Sequence, residues 1–191
     1  MNAILRPDPP DLLSADFRGA MRHLTGGVSV ITAGHDKDIS GMTVTSVTSL
    51  SVDPPTLIVS INRDASSFPL IKKLKAFGVN ILNADQLDIA ERFAGKGGLN
   101  GADRFAGAQW SAGVSGVPLL IGALAVLDCE VEEIIERHSH GIVVGRVRDI
   151  RRTARHAALA YWQGQYVAID HEEDAERLAG LSVPSRRRPV V

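Results

Sequence analysis

GMTVTSVTSLSVDPP, residues 41–55, is the stretch on which the reading of this chain turns. Six of its first eleven residues carry hydroxyls (Thr43, Thr45, Ser46, Thr48, Ser49 and Ser51), and none of the eleven is charged. A solvent loop normally carries charge, and a half-buried strand normally alternates with bulkier apolar residues. Valine and threonine favour extended backbone, so a strand is expected at about 39–46. Pro54-Pro55 then breaks the chain before TLIVSI (56–61), whose near-continuous apolar run reads as the next strand. The hydroxyls have two readings. They are ordinary β-formers on a wet strand face, or a neutral hydrogen-bonding edge for a planar polar ligand.

Working outward, VSVIT (28–32) alternates as a strand, GHDKD (34–38) reads as a turn, FGVNIL (77–82) as a fourth strand, and 122–134 and 141–150 as two more. A last short strand is expected near 165–169. Ser14 is placed to cap a helix through about Leu24, with Phe17, Ala20, Met21 and Leu24 on one stripe. Ser66 reads as the cap of a helix through Leu74, Asp85 as the cap of a helix over 86–93, and 153–162 as a further helix. Residues 94–118, with Gly95, Gly97, Gly98, Gly101, Gly107, Gly113 and Gly116, read as irregular loop. Many short strands interrupted by few short helices point to a mainly β fold, a small closed or nearly closed barrel with peripheral helices. The expected layout is an extended arm over 1–13, one domain over 14–170 and a charged tail over 171–191.

The chain has 191 residues, 45% hydrophobic and 23% charged, with a net charge of −1. That is the usage of a soluble globular domain with its own core. Nothing in the total charge suggests nucleic acid or an anionic membrane surface as partner, and Arg186-Arg187-Arg188 reads as a solvated tail. The single cysteine, Cys129, allows no internal disulfide and no cysteine zinc site, and its apolar neighbours suggest an inert thiol. The first residues have no secretory h-region and no stretch is apolar for long enough to span a bilayer, so a cytoplasmic location is expected.

GKGGLNG (95–101) invites a dinucleotide fingerprint, but it follows a helix rather than a strand and Asn100 stands at the third glycine position. His138 and His140 fall on one face of a strand, but only Glu136 is near as a third ligand, so no metal site is expected. Glu130, Glu132, Glu133 and Glu136 read as a solvent face, and no nucleophile elbow is present. In NRDASSFPLIKK (62–73), Ser66 and Ser67 sit at a helix start, where free N–H groups and the helix dipole favour phosphate. A planar heterocycle on one stretch and its phosphate on the next describes a flavin nucleotide.

Several segments in order resemble the short-chain flavin reductase family, the reductase components of two-component flavin monooxygenases. They are FRGAMRHLTGGVSVITA, the run from GMTVTS through INRDASS, VNILNADQLDIAERFAG, DRF and HSHGIVVGRV, covering about residues 16–169. The resemblance implies an FMN-binding split β-barrel, usually a homodimer with flavin near the subunit interface. It implies reduction of FMN or FAD by NADH or NADPH, with hydride passing from nicotinamide to flavin N5. It implies that Gly41, Met42, Thr43, Thr45 and Ser46 line the isoalloxazine, and that Ser60, Ile61 and Asn62 lie near the ribityl chain. By the same resemblance Ser66 and Ser67 hold phosphate, Arg92 and Phe93 touch the rest of the nucleotide, and His140 and Tyr166 lie near the nicotinamide, His140 in the catalytic role. The family often has Gly-Asp where this chain has His138-Ser139, and Pro-Leu where it has Ala158-Leu159. The partner implied is a separate flavin-dependent monooxygenase. Two alternatives keep the flavin: a reductase with another electron acceptor, such as a corrin, and a non-catalytic flavin-binding protein.

Overall fold

In the computed structural model, residues 10–154 and 157–170 are described. A seven-stranded antiparallel sheet organises them. In chain order its strands are β2 (Ser29–His35), β3 (Asp38–Val44), β4 (Thr48–Val52), β5 (Pro55–Asn62), β6 (Ala76–Ile81), β9 (Ala125–Arg137) and β10 (His140–Arg152). Side by side the order is β3-β2-β6-β9-β10-β5-β4. The two edges, β3 and β4, are consecutive in sequence. Laid flat, seven strands would hold them about 29 Å apart, six spacings of about 4.8 Å. The link from Val44 to Thr48 reaches at most about 14 Å. The sheet therefore curls until its edges meet, and Ser46 fastens the seam by donating from Oγ to the Ser60 carbonyl at 2.8 Å.

Alternation along the central strands feeds two cores. Ile31, Phe77, Val79, Cys129 and Val143 point inward with Leu57, Val59 and Ile61. Val30, Leu82 and Val126 point outward, where α3 (Leu87–Phe93) and the following loop cover them with Ile89, Ala90, Phe93 and Phe105. A second sheet, ordered β1-β11-β12, pairs β1 (Gly26–Gly27), β11 (Ala157–Trp162) and β12 (Gln165–Asp170). Leu159 and Tyr166 bring it against the outer core.

The mainly β fold with short helices is as expected, and the local boundaries differ in instructive ways. Helix α1 (Pro10–Met21) begins inside the expected arm, because proline suits the first helical turn, and Ser14 lies within it rather than capping it. It ends at Met21, short of the expected Leu24, and its stripe faces outward: Leu13 and Phe17 are each more than 60% exposed, as is Leu24 just beyond the helix. The 3-10 turn before α3 is capped by Asn83, not Asp85, through a capping box with Gln86. The expected helix over 153–162 is instead strand β11 from Ala157 onward, since pairing with β1 and β12 overrides the helix propensity of its alanines.

The glycine-rich loop is more ordered than expected. It holds two 3-10 turns (Lys96–Gly98 and Gly101–Phe105), then β7 (Trp110–Ala112) paired with β8 (Pro118–Leu120). Buried polar groups anchor it: Asn80 accepts from the Leu120 N–H at 2.7 Å, and Asp128 accepts from Ser115 N–H and Oγ. Residues 1–9 of the expected arm and the tail over 171–191 lie outside the described residues.

Candidate functional site

Where β3 passes the end of β5 and the start of α2 (Ser67–Leu74), the fold leaves a cavity of about 410 Å³. Gly41, Met42 and Thr43 line it from β3, Asn62 from β5, Ser66 at the N-cap of α2, and Phe93 at the end of α3. Gly41 is required by close packing: a Cβ there would stand 2.7 Å from both the Ile31 carbonyl oxygen and Phe93 Cε1. Ser40 and Ser66 hydroxyls share a hydrogen bond at 2.7 Å, which joins β3 to the helix start. Thr43 Oγ1 donates to the Ala90 carbonyl at 2.6 Å, fixing β3 against α3.

A second cavity of about 580 Å³ continues from the first, since Thr43 and Ala94 line both. Its other walls include Thr45, Glu91, Tyr161, Gln165 and Tyr166. The two tyrosines meet edge to face, with ring centroids 5.1 Å apart. Burial chiefly, then Tyr161 and the Glu91 carboxylate, push the Tyr166 phenol above its ordinary pKa, so it stays a neutral hydroxyl at neutral pH. One groove thus has a polar compartment and an aromatic one.

Arg104 is the residue that the sequence reading did not single out. It lies in the DRF tripeptide, which carried part of the resemblance but was assigned no role. Its Nε donates to the Leu99 carbonyl at 2.8 Å, and its Nη1 to the Gly41 carbonyl at 3.1 Å. These bonds hold a guanidinium on the wall of the smaller cavity. Asp64, exposed, shares that lining with the arginine and the N-terminus of α2, so the cavity wall carries one carboxylate as well. Guanidinium, serine hydroxyl, asparagine amide and helix N-terminus together form a donor set suited to a phosphate and a polyol chain. The aromatic compartment suits a planar ring. The residues present fit a flavin nucleotide.

The other named residues divide. Ser60 is half-buried and its carbonyl is taken by Ser46, while the Ile61 side chain is fully buried in the inner core, so neither side chain lines the groove. Ser67 is fully buried, and its Oγ is the one enclosed side-chain polar atom without a hydrogen-bond partner among the described residues. Only Ser66 of the serine pair reaches the cavity. Arg92 donates to the Ala106 carbonyl and pairs with Asp88, so it braces the glycine-rich loop instead of lining the groove. His140 opens β10 directly beside Asn62 in register, exposed, and lines neither cavity, whereas Tyr166 lines the larger one. The two residues expected at the nicotinamide are therefore not brought into a single cavity.

Cys129 is enclosed, and burial, with Asp128 adding to it, pushes its thiol up to about 12, an unreactive group. Among the described residues no three His, Cys, Asp or Glu side chains gather as a metal site, and no helix is long and apolar enough to cross a membrane.

Comparison with known proteins agrees with this geometry. The family model described as a flavin reductase like domain matches residues 21–170. The FMN reductase (NADH) RutF of Stutzerimonas stutzeri (strain A1501) is 37% identical over 155 residues, 81% of this chain and 88% of the relative. The solved structure of BorF, the flavin reductase component of a bacterial two-component tryptophan halogenase, is 34% identical with a TM-score of 0.76, covering 82% of this chain and 98% of BorF. Nitrilotriacetate monooxygenase component B from Mycobacterium thermoresistibile is 27% identical with a TM-score of 0.78, covering 95% and 96%.

Proposed function

The chain belongs to the flavin reductase family, and from that membership we propose how its groove serves an NAD(P)H-dependent flavin reductase. The observation that carries the arrangement is the pair of cavities meeting at Thr43 and Ala94. Ser66, Asn62 and Arg104 hold the phosphate and ribityl end in the smaller one. The backbone from Gly41 on β3 to Thr45 just after it edges the ring, which extends toward Tyr161 and Tyr166 in the larger one. When bound, flavin supplies an acceptor for the hydride of a reduced nicotinamide.

The chain's own contribution is positioning. The Thr43–Ala90 and Arg104–Gly41 bonds fix the β3 edge. Phe93, Phe105 and Trp110, with ring centroids 4.8 to 5.7 Å apart, back the groove with a rigid aromatic wall. His140, beside Asn62, stands where the nicotinamide carboxamide approaches, and orients it by hydrogen bonding. Its Nδ1 lies 2.9 Å from Ser139 Oγ.

The curled sheet is read as the split barrel, working as a homodimer. The outward stripe of α1 supports this, because Leu13, Phe17 and Met21 leave an apolar face for a second copy to cover. Reduced flavin passes to a separate monooxygenase, a reading supported by similarity to BorF, the flavin reductase component of a two-component tryptophan halogenase, and to nitrilotriacetate monooxygenase component B. Dependence on a cellular nicotinamide pool favours the cytoplasm.

The test is NADH and NADPH oxidation crossed with FMN and FAD. Oxidation that requires added flavin is expected, with NADH the better donor. Absence of flavin-stimulated turnover with either nicotinamide contradicts the reading.

A further inference from the structure

A cleft of about 460 Å³ adjoins the flavin groove at Asp64, lined by Arg63, Lys72, Glu136, His138 and Ser139 among others. Its charges are committed to one another. Glu136 lies 3.0 Å from Arg63 Nη2 through one oxygen and 2.6 Å from Lys72 Nζ through the other. The Lys72 hydrogen bond is the main cause holding the Glu136 carboxyl below its usual range, so the carboxylate is charged at neutral pH. With both cations on one carboxylate and Asp64 nearby, the cleft is a fastener rather than an anion seat.

What it fastens is the two-residue turn between β9 and β10. Arg63 holds that turn three ways: its backbone N–H donates to the Ser139 carbonyl at 2.9 Å, Nη1 donates to the His138 carbonyl at 3.0 Å, and Nη2 meets Glu136 on β9. The turn needs holding. His138 takes φ of 49°, a conformation that costs a non-glycine residue and that glycine adopts freely. Immediately after it, Ser139 Oγ contacts His140 Nδ1.

We propose that Arg63 is a positioning residue for His140, clamping the His138-Ser139 turn so that the imidazole is held in place beside Asn62 at the start of β10. The inference rests on the role given to His140 above. It assigns Arg63 no contact with flavin or nicotinamide.

The test compares Arg63→Met, Arg63→Lys and His140→Asn. In the flavin-free protein, the ring nitrogens of His140 are followed by two-dimensional NMR. Arg63→Met is expected to broaden or shift those signals, and Arg63→Lys to restore them partly. In the loaded enzyme, Arg63→Met is expected to slow single-turnover hydride transfer about tenfold, as misplacement does, with flavin affinity within twofold of wild type. On the His140→Asn background, Arg63→Met should cause no further slowing. Unchanged ring signals, or slowing that multiplies on that background, overturns the inference while leaving the role of His140 intact. Wild-type hydride transfer in His140→Asn overturns that role and the inference with it.

Discussion

Two halves of one hydroxyl-rich stretch have nearly the same composition and different fates. In the first half, Thr43 bonds the Ala90 carbonyl, Ser46 the Ser60 carbonyl, and neighbouring Ser40 meets Ser66, so these three hydroxyls join β3 or its exit to distant elements, while Thr45 is exposed on the wall of the larger cavity. In the second half, Thr48 and Ser49 are exposed on the edge strand β4, and Ser51 bonds only the nearby Asp53 carbonyl. The first half faces α2, α3 and Arg104, and the second faces water. Hydroxyl content marks the stretch, and what packs against it decides which hydroxyls build a site.

The comparison is sharpened first at Arg104, which bonds the first half only. Arg104→Ala should weaken flavin binding about 10- to 100-fold, the loss of a charge-assisted hydrogen bond worth about 1.5–3 kcal/mol. Titration of flavin fluorescence measures it. Gly41→Ala follows, since its Cβ would press on the Ile31 carbonyl and the Phe93 ring. Such overpacking costs about 1–3 kcal/mol and should lower the urea midpoint. Thr43→Val should cost about 1 kcal/mol by removing the hydrogen bond that ties β3 to the Ala90 carbonyl, which keeps the Ala94 N–H. Thr48→Val, on the exposed edge, should stay within about 0.5 kcal/mol and leave flavin affinity unchanged. Equal costs at Thr43 and Thr48 would break the comparison.

The strands of the large sheet were legible because their apolar runs are long and bounded by turn residues. The second sheet was less so. AALAYW at 157–162 is too short for periodicity to separate strand from helix, and its alanines favour the wrong answer until β1 and β12 pair with it. The site followed the same division. Gly41, Thr43, Asn62, Ser66 and Phe93 come together as one cavity wall. Adjacency in sequence misled at Ile61 and Ser67, because on a strand or at a helix start the next residue faces the core. Arg104 was invisible as a site residue, since its placement depends on carbonyls at positions 41 and 99 that no local pattern relates to it.

The central claim is that the cavity between β3 and the start of α2 receives the flavin phosphate. The direct measurement is equilibrium titration of FMN and FAD against Ser66→Asp, with Ser49→Asp as the same charge placed on the exposed half. The account predicts a loss of affinity of about 100-fold or more in Ser66→Asp, where an anion would face the phosphate at close range, and none in Ser49→Asp. Flavin affinity in Ser66→Asp equal to that of Ser49→Asp would contradict it.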